Sequence, residues 1–170
     1  MKNVSFKNDI LPLKNVLYRL ALRITLSREE AEDVVQDTLV KVWNRRDDWQ
    51  DIDSIEAYSL TVCRNLAIDK TRKAAKANLS IDDQTTEAAD PDGDPYERAQ
   101  QRDKVEAVRQ IISSLPEKQR SCMQLRDFEG KSYKEIADIM KITEEQVKVN
   151  IFRARQAVKQ KYKQYEEYGL

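Results

Sequence analysis

Lys148, Val149, Asn150, Phe152 and Arg153 lie close together near the C-terminus, and their types suit contact with DNA. They belong to the stretch SYKEIADIMKITEEQVKVNIFRARQAVKQK, Ser132 to Lys161. Val147, Ile151, Ala154 and Val158 recur there at spacings of four, three and four, the apolar stripe of one helix, and the five named residues fall off it. Ser132 with Glu135, and Thr143 with Gln146, have the spacing of capping boxes, in which each side chain of the pair bonds the other's backbone N–H. Two helices therefore meet across the corner Lys141-Ile142-Thr143, which is a helix-turn-helix. In that motif the first residues of the second helix meet base edges in the major groove. Arg153, Arg155, Lys159, Lys161 and Lys163 are placed to meet phosphates. The plainer alternative is a helical hairpin with a solvated basic tail.

A second basic run, Arg64, Lys70, Arg72, Lys73 and Lys76 against the single acid Asp69, closes another helical segment. Cations at a helix C-terminus are favourable by themselves, so this run alone says little about nucleic acid. Other chemistry is thinly represented. The chain has no histidine, which removes the commonest general base and most zinc sites. There is no Gly-rich phosphate loop and no G-x-S-x-G. The expectation is a protein that is not an enzyme and uses no cofactor or metal. Cys63 and Cys122 stand apart, outside any C-x-x-C pair, and are expected as free buried thiols in a reducing compartment.

The elements that would position these residues are helical. Three Gly and four Pro in 170 residues are too few for a turn-rich β-protein. No run approaches the ~18 apolar residues of a membrane span. The N-terminus MKNVSFKNDILPL has no continuous apolar core, so no membrane insertion and a cytoplasmic protein are expected. Charge is uneven: 30 basic and 30 acidic residues cancel overall, but residues 1–75 carry +1, residues 76–100 carry −5 and residues 101–170 carry +4. The middle stretch lacks helical periodicity and contains Asp-Pro twice and Asp-Gly, which reads as a flexible acidic linker.

Helical patterns stand on both sides of it. Leu13, Val16, Leu17, Leu20 and Ile24 make one stripe; Ser27 and Glu30 then cap a helix buried through Val35, Leu39 and Val42. A polar loop follows, and Asp53 with Glu56 offers the next cap. Beyond the linker come a stripe through Val105, Val108, Ile111, Ile112 and Leu115, a new helix at Pro116 carrying Cys122, Leu125 and Phe128 inward, and the helix-turn-helix. The fold expected is all-α: two small helical domains, 8–76 and 101–166, joined by a flexible acidic linker over 77–100, the C-terminal domain holding the helix-turn-helix.

Two longer motifs sharpen this reading. AEDVVQDTLVKVW followed by EAYSLTVCRNLAIDKTRK resembles domain two of the bacterial sigma-70 family, in the extracytoplasmic-function (ECF) group. LPEKQRSCMQLRDFEGKSYKEIADIMKITEEQVKVNIFRARQAVKQ resembles domain four of the same group. The resemblance covers roughly residues 10–76 and 105–163. It departs at Tyr58, where the family usually has Trp, at Leu60 and Thr61, where Tyr-Arg is usual, and at Lys141, where Gly is usual. Lys141 is thus expected in the left-handed conformation that Gly adopts at low cost.

The resemblance implies a sigma factor whose partners are core RNA polymerase, promoter DNA and an anti-sigma factor. Glu32, Asp33, Gln36 and Lys41 would contact polymerase. Asn65, Asp69, Arg72 and Lys73, with Arg64 on the backbone, would meet the minus-10 element, and Trp49 or Tyr58 is open as a stacking surface or as core. Lys148, Val149, Asn150, Phe152, Arg153 and Arg155 would meet the minus-35 element, where Asn suits adenine and Val suits a thymine methyl. A stand-alone helix-turn-helix regulator and a DNA-acting enzyme remain as rivals.

Overall fold

The computed structural model of the chain describes residues 5–77 and 95–168. Among them are seven α-helices: α1 (Lys14–Thr25), α2 (Arg28–Asn44), α3 (Ile55–Ala77), α4 (Pro95–Ser113), α5 (Glu117–Met123), α6 (Tyr133–Met140) and α7 (Glu144–Tyr168). The all-α architecture is as expected. Residues 78–94, the greater part of the expected linker, lie outside the described residues, whereas residues 95–100 already open α4.

Local sequence explains most boundaries. Ser27 caps α2 by accepting from the Glu30 N–H at 3.4 Å. The next cap falls one residue later than expected: Ser54 Oγ, not Asp53, accepts from the Ala57 N–H at 3.1 Å, and Glu56 is drawn away to Lys131. Pro116 stands at the N-cap of α5. That helix runs into a π-helical turn, Gln124–Phe128, and Gly130 ends it at φ +69°.

The two helical halves share a core. Leu17, Leu20 and Ile24 of α1, Val34 and Val35 of α2, and Leu60, Cys63 and Ala67 of α3 form one continuous buried cluster with Cys122 and Leu125, Ile136 and Met140 of α6, and Val147 and Ile151 of α7. A fully buried aliphatic side chain contributes about 1.5–3 kcal/mol, so the seam between the halves is a substantial part of the apolar stabilisation. Two smaller clusters flank it. Ile112, Leu115, Met123 and Ala154 seal α4 against α7, and Ile10, Val42 and Trp49 close the far end of α2. Both cysteines are buried and unbonded to each other. Burial pushes each thiol up to about 12.

Charged contacts follow the same seam. Arg64 of α3 donates to both carboxylate oxygens of Glu117 at 3.1 and 3.0 Å. Arg19 of α1 grips Glu129 in the same two-pronged way, and Arg23 donates to Gln124 at 2.9 Å. Lys131 pairs with Glu56 in the reverse sense.

Candidate nucleic-acid interface

The helix-turn-helix is built as its sequence dictates. Ser132 and Glu135 form a reciprocal capping box at the start of α6. Thr143 and Gln146 form a second, with the Thr143 N–H donating to Oε1 at 3.0 Å and the Gln146 N–H donating to Oγ1 at 3.1 Å. Between them Lys141 has φ +55° and ψ +47°, the left-handed corner expected from the family pattern. Ile142 then packs on the core, partly buried.

Val147, Ile151 and Ala154 face inward, so Lys148, Val149, Phe152 and Arg153 are turned outward on α7. Val149 is 44% exposed and Phe152 63% exposed, one turn apart on the same outward side of α7. Val149, Asn150 and Arg153 line a cleft of about 470 Å³ together with Thr143, Gln146 and Lys118. Lys118 comes from α5 and is a cation that helical periodicity alone did not single out. Asn150 is half-buried, and its amide donates one N–H to the Gln146 carbonyl at 2.8 Å, which leaves its second N–H and its Oδ1 outside that bond.

Arg155 is not part of this cleft and grips Asp127 on the π-helical turn through Nε and Nη2; these hydrogen bonds push its guanidinium above the usual arginine value. Tyr133, the first residue of α6, is a further participant that the sequence reading passed over. Its ring lies under the Arg126 guanidinium at 4.3 Å and beside the Lys148 ammonium at 5.4 Å. Cations this close to an aromatic face are attracted by its quadrupole, so Tyr133 steers Lys148. The signal was present as the S-Y step of the capping box, but pairing across 15 positions is a tertiary fact.

On α3, Asn65, Asp69, Arg72 and Lys73 recur at helical spacing and all are exposed, giving one polar face. Arg64 is not on that face. Its side chain is only 12% exposed and is held by Glu117. Trp49 is 2% exposed, and its indole N–H donates to the Val42 carbonyl at 3.0 Å, which places it in the core rather than on a stacking surface. Tyr58 is half-buried beside it. Trp43 is partly exposed as well, edge-on to Phe6 and Trp49 with Arg46 over its face at 4.8 Å. Phe128, expected inward, is 55% exposed and stacks with Arg23 at 5.1 Å.

On α2, Glu32, Asp33, Gln36 and Lys41 are all exposed. Asp33 is tied to Lys70 of α3 at 3.1 Å. Val40 lies one turn beyond Gln36 and is 58% exposed, an apolar contact in the middle of a charged face. It falls off the stripe of Val35, Leu39 and Val42, and periodicity alone attaches no role to an apolar residue on the outer face.

Comparison with known proteins accounts for both halves. Residues 10–77 match the Sigma-70 region 2 family and residues 105–158 match Sigma-70, region 4. The RNA polymerase sigma-H factor of Pseudomonas aeruginosa is 32% identical over 160 residues, covering 88% of this chain and 83% of that protein. The ECF RNA polymerase sigma factor SigL of Mycobacterium tuberculosis is 31% identical, covering 85% of this chain and 81% of its own length. Among solved structures, the fold is similar to the sigma factor RpoE in its co-crystal with the anti-sigma factor NepR from Bartonella quintana, with a TM-score of 0.76 at 23% identity, covering 93% of this chain and 96% of that one. It is also similar to CnrH in complex with the cytosolic domain of CnrY, with a TM-score of 0.64 at 22% identity, covering 91% and 84%. With both regions in order and a relative matched over most of its length, the chain belongs to the sigma-70 family of RNA polymerase sigma factors, in the ECF group.

Proposed function

We propose that this sigma factor directs core RNA polymerase to promoters by reading a minus-35 element with α7 and a minus-10 element with α3, and by helping the duplex to open. The observation that carries the reading is the outward face of α7. Lys148, Val149, Phe152 and Arg153 project from a doubly capped helix-turn-helix, with Asn150 at the edge of the same cleft. A rigid helix presenting a cation, an amide and apolar tips is suited to base edges, because each base pair shows a distinct pattern in the major groove.

In this reading Asn65, Asp69, Arg72 and Lys73 meet the minus-10 element from α3. Arg64 joins them once Glu117 releases it, and Arg155 reaches a phosphate once Asp127 does. Glu32, Asp33, Gln36 and Lys41, with Val40 among them, dock α2 on core polymerase. The domain boundaries that go with these roles are 8–76 for polymerase and minus-10 contact and 101–166 for minus-35 contact. The protein acts in the cytoplasm, where polymerase is. RpoE was solved with the anti-sigma factor NepR and CnrH with the cytosolic domain of CnrY, and an anti-sigma factor is proposed for this chain too.

Transcription in vitro with core polymerase, with and without this chain, tests the reading across a library of genomic fragments. Promoter-specific initiation that depends on the chain is expected. Its absence from every fragment, together with tight specific duplex binding by the chain alone, would favour a stand-alone regulator instead.

A further inference from the structure

Three guanidinium groups stand in a row where the halves meet. Arg19 and Arg23 are one turn apart on α1, and Arg64 comes from the neighbouring α3. Opposite them stand two carboxylates and an amide. Glu117 takes Arg64 through both oxygens, and Glu129 takes Arg19 through both. Gln124 accepts from Arg23 at 2.9 Å and donates to Glu129 at 3.2 Å, while Ser121 donates to Glu117 at 2.8 Å. Each carboxylate thus has a partner in its own half of the chain as well as an arginine across the seam.

The forked geometry is informative. A guanidinium donates two parallel N–H bonds to the oxygens of a carboxylate or of a phosphate equally well. Partly buried ion pairs contribute little over well-packed apolar residues, because desolvation offsets most of the attraction. The apolar cluster beneath the seam already joins the halves, so the arginines are not needed for that alone. Arg19 remains 51% exposed, within reach of a competing anion. Arg64 adjoins Asn65 in sequence but lies off the exposed polar face of α3, and with Arg19 and Arg23 it extends positive charge from that helix onto α1.

We propose that Arg19, Arg23 and Arg64 form a phosphate-binding row for a nucleic-acid backbone, and that Glu117 and Glu129 occupy it as carboxylate stand-ins while the halves are closed. The proposal rests on the reading of α3 as a DNA-contacting helix and adds α1 to that surface. It makes the chain its own competitor: a polyanion that engages the row must displace both glutamates, and the closed form binds nucleic acid weakly.

Fluorescence anisotropy of the full chain with a labelled mixed-sequence DNA duplex, over a series of salt concentrations, tests this. Glu117→Gln combined with Glu129→Gln should tighten binding several-fold. Arg19→Gln combined with Arg23→Gln should weaken it and lower the slope of log K against log salt by about 0.9 for each phosphate that the chain no longer neutralises. If the arginines serve only the seam, removing them opens it just as removing the glutamates does, and both variants tighten binding; that common sign overturns the proposal. Arg64→Lys keeps the charge but loses the fork. With an unchanged circular dichroism spectrum, it should fall between the wild type and the α1 pair. Arg72→Gln with Lys73→Gln separates the two readings. A slope that falls for this pair but not for the α1 pair overturns the row alone, whereas a slope unmoved by either pair overturns the DNA role of α3 as well.

Discussion

Lys141 shows how a single backbone angle can be read twice. Its left-handed conformation closes α6 and aims α7, and a side chain there costs on the order of 1 kcal/mol relative to Gly. Lys141→Gly should therefore raise the melting temperature by roughly 2–4 °C, the shift about 1 kcal/mol gives a chain of this size. Calorimetry checks it, and a lower melting temperature would mean that the Lys141 side chain contributes more than the strain removes. The buried thiols act through protonation. Cys63 and Cys122 both sit near 12, against an ordinary value of 9.0, chiefly because burial disfavours the thiolate. A raised acid favours the folded state fully below the unfolded value, and that benefit is lost as pH rises from about 9 towards 12. Stability should be flat in these two groups near neutral pH and fall in alkali. Iodoacetamide should label neither cysteine at pH 8 until denaturant is added.

At the scale of the element, the caps decide where helices begin. Ser132 and Thr143 each accept a backbone N–H that would otherwise lack a partner. Ser132→Ala or Thr143→Ala should each cost about 0.5–2 kcal/mol. The check is a urea titration in which the midpoint falls and the slope stays constant. The Thr143 variant should also weaken DNA binding by the holoenzyme, since it frays the first turn of α7, where Lys148, Val149 and Asn150 follow. The Ser132 variant acts on α6 and should change binding less. The cap of α3 fell on Ser54 rather than Asp53 because two neighbouring residues offered equivalent oxygens, and only the path of the chain into α3 chose between them.

At the scale of the molecule, charge and core explain each other. The chain is neutral although its last 70 residues carry +4, because acidic residues elsewhere, and above all those at 76–100, cancel them. The same opposition is repeated locally at the seam, where arginines of α1 and α3 meet glutamates of α5 and beyond. Since one apolar cluster runs through both halves, thermal unfolding should follow a single cooperative transition. Two resolved transitions would show that the halves melt independently. Leu125→Ala, at a fully buried position of that cluster, should cost about 2–5 kcal/mol and lower the whole transition rather than part of it.

Local signals in the sequence were enough for the helices, the two capping boxes around the corner, the left-handed Lys141 and the outward set on α7. Each depends on contacts within a few positions, where spacing translates directly into geometry. The family motifs are contiguous for the same reason and were legible without coordinates. What lay beyond reach was every pairing across the seam. Arg64 read as a basic residue at the edge of a DNA-facing helix, and nothing near it in sequence announced Glu117, 53 positions away. Trp49 could stack or pack until Val42 and Ile10 closed around it. Periodicity tells which face of a helix is apolar but not what covers that face, nor which charged side chain waits on the other side. Those choices belong to the tertiary structure, because only the folded chain brings distant carboxylates, carbonyls and guanidinium groups within hydrogen-bonding distance.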